Sequence, residues 1–309
     1  MVLVTGGTGS LGRALARYLL TQPIRALRVI SRDEFKVATF QAAFPDHRVK
    51  ALIGDVRDVD RLQLAFNGAD VVIHAAALKR IDLGEREPFE FIRTNVDGTR
   101  NAIQAALDCG VERFMNISSD KACASVSTYG STKHLAECLT TAANTVVGSR
   151  PTRYASARYG NVAGSRGSLI PLLMEQRKTG VVTLTDPVMT RFHMLMSEAV
   201  RFVISSIEQM QGAELFIPKP PSVRISDVVE AIAPDAEVRI IGTRGLEKMH
   251  EQLISFDESR SCEDAGDRYI VRTGTVWDSP SFTFTSDQNR FLTVEEIRAQ
   301  AETAMAEAA

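Results

Sequence analysis

Strands alternating with helices through the first half of this chain predict an α/β fold, a doubly wound parallel sheet followed by a smaller α/β lobe. Three observations carry that reading. A glycine-rich turn, Thr5-Gly6-Gly7-Thr8-Gly9-Ser10-Leu11-Gly12, joins a strand at the very N-terminus to an amphipathic helix. Short apolar runs then recur at Leu27–Ile30, Val49–Ile53, Asp70–His74, Arg113–Ile117 and Tyr154–Arg158, each separated by a helical pattern. Beyond about residue 165 the alternation loosens into Pro- and Arg-rich segments such as 187–192 and 218–221.

The first strand, Val2–Val4, leads into the G-x-x-G-x-x-G turn and a helix from about Ser10 to Thr21. Glycine there lets backbone approach a pyrophosphate, and the helix N-terminus offers N–H donors, so Gly6, Thr8, Gly9, Ser10, Leu11 and Gly12 are candidate cofactor contacts of a Rossmann-like dinucleotide site. The second strand ends in Ser31-Arg32-Asp33, with Lys36 one turn on. An arginine at this point accommodates a 2′-phosphate, which favours NADP over NAD; a solvated helix start of mixed charge is the alternative, because Asp33 and Glu34 adjoin it. Strand three ends in Gly54-Asp55-Val56, where Asp55 can accept from an adenine amino group, while Asp58 reads as a helix N-cap. After strand four, Ala75, Ala76 and Ala77 are small enough for the cofactor to lie against backbone. His74 reads as a packing residue, and Lys79 as either a cleft residue or a solvated one. A helix predicted over Pro88 to Leu107 contains Asn95, unfavourable by propensity and so expected to bond the backbone of the catalytic strand.

Strand five delivers Ser118-Ser119-Asp120-Lys121, and Tyr129-Gly130-Ser131-Thr132-Lys133 follows, opening onto a helix read as Ser131 to Ala143. Tyr129 and Lys133 stand one helical turn apart, so an ammonium there would help a phenol act as a base. Asp120 and Lys121 add a second acid/base pair at the carboxyl end of a strand, where ligands of open α/β sheets bind. A surface Tyr/Lys pair is the plain alternative for the first of these.

The chain has 309 residues, enough for a Rossmann domain over 1–165 and a substrate lobe over 166–309 with some segments returning to the first part. Arg166, Arg191 and Arg244 all read as loop residues of that lobe, and forked guanidinium groups suit a nucleotide diphosphate. The net charge of −2 gives no electrostatic case for nucleic acid or membrane binding. Apolar runs are too short to span a bilayer, and Met1 runs straight into a strand with no signal-peptide pattern. Cys109, Cys123, Cys138 and Cys262 have neither CxxC nor metal-ligand spacing, so no metal site is expected and a reducing, cytoplasmic setting is the simple reading. The final helix is read over Thr293 to Ala309.

With these residues assembled, the chain resembles the extended short-chain dehydrogenase/reductases, and among them the soluble inverting UDP-N-acetylglucosamine 4,6-dehydratases. The resemblance runs nearly the whole length, through TGGTGSLG, SRDE, GDVRD, HAAALK, SSDKA, YGSTK, RYGNVAGSRGS, MTRF, FIPKPPS and EKMHE. Departures are Ser119 where the family usually has Thr, a Cys123–Thr128 loop lacking its usual Asn-Pro, and Arg244-Gly245-Leu246-Glu247-Lys248 in place of R-P-G-E-K. The resemblance implies a tightly held NADP, with Tyr159 near it, and a nucleotide-sugar substrate, most simply UDP-N-acetylglucosamine, met by Lys79, Asn161, Arg166, Arg191, Arg244 and Glu247. It also implies catalysis by Ser119, Asp120, Lys121, Tyr129 and Lys133, and a homo-oligomer. Tyr129 would take the 4-hydroxyl proton, Lys121 the C5 proton, and Asp120 would protonate the departing 6-hydroxyl. A lysine base must be neutral, so burial would have to outweigh the neighbouring Asp120. A sugar-nucleotide 4-epimerase or ketoreductase would share the cofactor turn, Tyr129 and Lys133 but has no need of an Asp-Lys pair. A non-catalytic NADP-binding regulator would have no need of any of the four.

Overall fold

A computed structural model describes all residues except 166, 244–245, 273, 275–279 and 309. The first half alternates as the sequence predicts: β1 (Val2–Thr5), α1 (Ser10–Leu20), β2 (Leu27–Ser31), α2 (Glu34–Ala43), β3 (Val49–Ile53), α3 (Val59–Phe66) and β4 (Val71–His74). A short α4 (Ile81–Gly84) and α5 (Pro88–Phe91) lead through a π-helical stretch, Ile92–Asp97, into α6 (Gly98–Asp108). Next come β5 (Arg113–Ile117), a 3₁₀ turn over Asp120–Ala122, α7 (Thr128–Ala143), β6 (Arg153–Ala157), β7 (Asn161–Val162), α8 (Leu169–Arg177) and β8 (Val181–Leu184). Then follow β9 (Thr190–Met194), α9 (Met196–Gln209), β10 (Glu214–Pro218), β11 (Ser222–Arg224), α10 (Ile225–Ile232) and β12 (Glu237–Ile240). The last elements are β13 (Gln252–Ile254), α11 (Phe256–Ser259), β14 (Cys262–Asp264), β15 (Arg268–Arg272), β16 (Phe284–Thr285) and α12 (Val294–Ala308).

Nine strands form one sheet in the order β14-β15-β10-β6-β5-β4-β1-β2-β3. From β3 to β10 every pairing is parallel, whereas β15 and β14 join antiparallel. A strand with both faces covered reads as a continuous apolar run, and side chains alternate between the faces. Thus Val4 packs with Leu15 and Leu19 of α1, Phe40 of α2 and Val203 and Ile207 of α9. Its neighbour Leu3 turns the other way, to Leu62 and Phe66 of α3 and Ala102, Ala105 and Ala106 of α6. A separate core gathers α8, α10 and α12 around Leu173, Val228, Ile232 and Ile297, and a small junction cluster of Phe192, Leu215, Leu253 and Val271 bridges sheet and lobe.

The strand order reverses between β1 and β4, and a crevice opens at their carboxyl ends, where this topology binds ligands. Two glycines bring the loops there into close approach. Gly6 has φ +64°, and a Cβ on it would lie 2.8 Å from the Ala76 Cα. A Cβ on Gly12 would meet the Gly7 carbonyl oxygen at 2.2 Å, so only glycine lets α1 start so close beneath the turn.

Several expectations are corrected. The helix carrying Tyr129 begins at Thr128, not Ser131, because Ser127 caps it by accepting from the Gly130 N–H. Arg191 is a strand residue of β9, paired antiparallel with β11, not a loop residue. Strand six ends at Ala157, and the last helix begins at Val294. Arg166 and Arg244 lie outside the described residues.

Candidate active site

The N-terminus of α1 faces the crevice with Gly9 at its cap, no side chain bonded to that cap and no acidic residue in its first turn. Its orphan N–H groups and the positive end of its dipole are therefore left for an anion, and the Gly6–Ala76 approach leaves a smooth floor beside them. Thr8, buried, donates to the Ser31 Oγ at 3.0 Å, which ties this turn to the end of β2. Arg32 is exposed at that end, and Lys36 pairs with Asp33 at 2.9 Å. The Asp55 carboxylate is gripped by Arg57 at 2.7 Å, and that guanidinium reaches on to Glu90; Val56 is buried beneath. Ala75, Ala76 and Ala77 are half-buried on the opposite lip, and Lys79 is exposed beyond them.

Asn95 does not reach strand β5. Its amide oxygen accepts from the Leu78 N–H at 2.8 Å, and its NH₂ donates to the Leu78 carbonyl at 2.9 Å and to the Thr132 Oγ1 at 3.0 Å. It therefore clamps the loop after β4 to helix α7, and it does so from within the π-helical stretch, whose extra residue re-aims the side chain. His74 packs as expected, fully buried, with Thr5 and Thr99 on its two ring nitrogens. Burial, aided by the Lys133 charge, lowers its pKa to about 3.

At the mouth of β5, Asp120 is buried and Lys121 lies over it. The Lys121 Nζ donates to Asp120 at 3.0 Å and to the Asn161 Oδ1 at 3.1 Å, and it sits 3.2 Å from Glu251. Ser119 donates to Asp120 at 2.9 Å. Burial, reinforced by the Glu251 charge and opposed by Lys121, pushes the Asp120 carboxyl up. For Lys121 burial pulls down, but Asp120 and Glu251 outweigh it and hold the ammonium above its ordinary value. Two carboxylates thus face one lysine. Tyr129, half-buried in the first turn of α7, is pushed up by burial against a hydrogen bond with Ser119 and the charge of Lys121. Lys133, one turn on and buried, is lowered by desolvation to about 8, with Glu137 opposing. Tyr159 is buried alongside, edge-on to Phe202, and its carbonyl accepts from the Asp120 N–H at 3.0 Å.

Beneath the lysine side, Arg158 is fully buried and locks three elements together. Its guanidinium bonds both carboxylate oxygens of Glu137 on α7, both of Glu258 on α11 and the Leu253 carbonyl of β13. A cavity lined by Asn161, Arg191, His193, Val223, Ile225 and Glu247 lies in the lobe, and Asn161, which accepts from the Lys121 Nζ, links it to the Asp120–Lys121 pair. Arg191 is anchored at its rim by donating to the carbonyls of Thr190 and Met249. Two polar residues here were missed in the sequence: Glu251, which stands unassigned at the end of the EKMHE segment, and Arg158, seen only as a strand end. A buried charge in a strand is a signal in itself, since such groups persist only when paired.

A dinucleotide crevice at the switch point and a Tyr-x-x-x-Lys helix beside it define a short-chain dehydrogenase/reductase of the extended kind. The chain belongs to the polysaccharide biosynthesis protein family, whose description matches residues 2–273. It is 43% identical to an uncharacterized membrane protein of Methanocaldococcus jannaschii, over 96% of this chain and 93% of the relative. It is 40% identical to the UDP-N-acetylglucosamine 4,6-dehydratase (inverting) of Campylobacter jejuni serotype O:2, covering 94% and 86%. Against a UDP-glucose 4-epimerase of Rickettsia canadensis the identity is 38%, covering 87% and 82%. The solved structure of Pen from Bacillus thuringiensis superposes with a TM-score of 0.94 at 34% identity, covering 98% of this chain and 97% of that one. Among the described residues no helix is long and apolar enough to cross a membrane.

Proposed function

We propose that this protein is a nucleotide-sugar 4,6-dehydratase that inverts C5, acts on UDP-N-acetylglucosamine or a close relative, and holds NADP through the reaction. The observation that carries the reading is the Asp120–Lys121 pair just after β5, close to Tyr129 and joined through Asn161 to the lobe cavity. An epimerase needs a base at one hydroxyl; elimination needs a second base and an acid, and this pair supplies both. The 40% identity to a named inverting dehydratase supports the same reading. For the cofactor, the uncapped α1 terminus, the small-residue floor and the exposed Arg32 suit a dinucleotide bearing a 2′-phosphate.

The bound dinucleotide would supply the acceptor, and later the donor, of a hydride. Tyr129 takes the sugar 4-hydroxyl proton, helped by its hydrogen bond with Ser119 and by the charge of Lys121, with Lys133 one turn further along α7. The resulting 4-ketone acidifies the C5 hydrogen. Lys121 removes that proton while Asp120, whose carboxyl burial pushes up, protonates the 6-hydroxyl, which leaves as water. Asn161 and Asp120 hold the lysine amine at its post. Arg191, anchored at the cavity rim, faces the diphosphate, and Glu247 and Asn161 border the sugar end.

The test is incubation with UDP-N-acetylglucosamine and a panel of other nucleotide sugars, followed by mass and NMR analysis. A 4-keto-6-deoxy product with inverted C5 is expected; release of an epimerised sugar with no loss of water would favour the epimerase reading. Lys121→Met should still oxidise C4, seen as reduced-nicotinamide absorbance, yet form no 6-deoxy product. Retention of most of the elimination rate would show that Lys121 is not the C5 base.

A further inference from the structure

The turn that carries Asp120 and Lys121 is held from a distance. Three non-glycine residues among those described have a positive φ: Ala124 (+41°), Ala213 (+69°) and Leu246 (+61°). Two of the three flank one contact, in which the Lys248 ammonium, from the lobe segment before β13, donates to the Cys123 carbonyl. Ala124 follows that carbonyl directly, and Leu246 stands two residues before that lysine. We infer that Lys248 is a positioning residue of the active site: its grip on the Cys123 carbonyl holds Ala124 in the left-handed region and so fixes the turn that presents Asp120 and Lys121. The roles of Asp120 and Lys121 here rest on the dehydratase reading; the contact does not.

Alanine has no reason of its own to adopt this conformation. At positive φ its Cβ crowds the following carbonyl, which disfavours the left-handed region about tenfold, and it has neither the freedom of glycine nor the local hydrogen bonds of Asn or Asp. Such residues persist only where the surroundings over-determine them. Ala124 is exposed, so packing of its methyl group does not set the conformation. Its neighbours do. Cys123 is buried, its thiol donates to the Glu258 Oε2 at 3.4 Å, and its carbonyl is taken by Lys248. On the other side the Ser125 Oγ donates to the Ser127 carbonyl at 3.1 Å and shares a hydrogen bond of 3.1 Å with the Ser131 Oγ. The bond from Lys248 is charge-assisted, the stronger kind. A shift in this stretch is passed on to the lysine, because Gly130 lies tight beneath the turn: a Cβ on it would be 2.1 Å from the Lys121 carbonyl oxygen. Lys248 also joins the two halves of the site. Glu247 before it lines the lobe cavity, and Lys248 itself lines a second, small cavity with Lys121, Val126 and Ser127.

Deuterium exchange of a peptide spanning 119–130 reads the turn directly. Within it the Asp120 N–H donates to the Tyr159 carbonyl, the Ala122 N–H to the Ser119 carbonyl and the Gly130 N–H to the Ser127 Oγ. Lys248→Met keeps the length of the side chain and removes the donor, so exchange should quicken about tenfold as the left-handed penalty is released. Adding Ala124→Gly, which takes positive φ freely, should return exchange most of the way to wild type. Ala124→Val, with Lys248 in place, should quicken exchange as Lys248→Met does, because a branched side chain tolerates that region least. Water loss from UDP-N-acetylglucosamine should follow: about tenfold down in Lys248→Met with substrate affinity nearly unchanged, and largely restored by Ala124→Gly. Lys248 also favours the charged form of Glu251, but Ala124→Gly could not repair a lost charge, so the rescue separates the two effects. Wild-type exchange in Lys248→Met, a quickening that Ala124→Gly does not reverse, or quickened exchange with full turnover would each overturn the inference. If wild type itself loses no water from any nucleotide sugar, the dehydratase reading fails, while the exchange comparison still decides what Lys248 does.

Discussion

Replacing Arg158 by Met tests how the catalytic helix is held. The native guanidinium makes five hydrogen bonds, four of them to the carboxylates of Glu137 and Glu258, and is fully buried. Methionine fills much of the volume but leaves Glu137, with a 6% exposed side chain, facing Glu258 with only the His134 ring at 3.7 Å as a basic partner. Breaking a buried pair from one side costs about 3–5 kcal/mol. An independent figure agrees. Burial raises the Glu137 carboxyl, but Arg158, with smaller help from hydrogen bonds of His134 and Ser118, more than reverses this and brings it from 4.5 to about 2. At about 1.4 kcal/mol per pH unit, that drop is worth about 3 kcal/mol. A depressed folded-state pKa gives stability that is complete above the unfolded value of 4.5 and is lost as pH falls through about 2. Urea unfolding should therefore show the full loss for Arg158→Met at pH 7, narrowing as pH falls from about 4.5 towards 2. Adding Glu137→Gln to Arg158→Met should recover part of the loss, because an uncharged amide is cheaper to bury than an unpaired carboxylate. A loss below about 1 kcal/mol at pH 7, or one that does not change with pH, would refute the reasoning.

Three further outcomes follow from the site. Tyr129→Phe keeps the ring and removes only the proton acceptor, so C4 oxidation should fall about a hundred- to ten-thousand-fold with substrate affinity nearly unchanged; stopped-flow absorbance and equilibrium binding separate the two. Arg32→Asp removes the exposed residue proposed to meet a 2′-phosphate and adds a ribose acceptor, so on that reading the dinucleotide released on denaturation should shift from NADP towards NAD. Gly130→Ala would put a Cβ 2.1 Å from the Lys121 carbonyl oxygen and 2.6 Å from the Ser125 Oγ. The backbone of the Asp120–Lys121 turn must then move, and water loss should suffer more than thermal stability does; equal loss of both would mean the turn is not what positions the lysine.

The parallel half of the fold was legible because its information is local. Each strand is an apolar run with a turn signal after it, and the glycine turn, the SSDK strand end and the Tyr-x-x-x-Lys spacing each lie within a dozen residues. What was not legible depends on distant partners. Glu251 meets Lys121 across 130 residues, and nothing in the pattern around it says which way it points. Arg158 meets Glu258 across 100 residues. The antiparallel return of β14 and β15 is likewise a pairing, not a pattern, since Cys262–Asp264 is too short to show a period. Asn95 was rightly singled out by its poor helix propensity, but its target was misjudged because the π-helical stretch rotates the side chain by an amount no α-helical wheel contains. The early start of α7, at Thr128 and not Ser131, is set by Ser127, whose side chain caps the helix from a position the Ala- and Leu-rich pattern does not reach.

The position of β10 has a bearing on how such a chain is made. It lies between β6 and β15, yet it is residues 214–218, some sixty residues after β6 in the chain. Until it emerges from the ribosome, β6 is the rim of an unfinished sheet, with Tyr154, Ala155, Ser156 and Ala157 offering open backbone groups and only Arg153 at the strand's start to deter another strand. A fragment cut after residue 165 would keep every part of the dinucleotide crevice and still carry that bare rim. Cutting where the alternation loosens would thus sever a sheet rather than separate two self-sufficient units. Expression strategies for the cofactor-binding half should carry the chain on through β15, so that β10 covers the β6 rim and the antiparallel return covers β10 in turn.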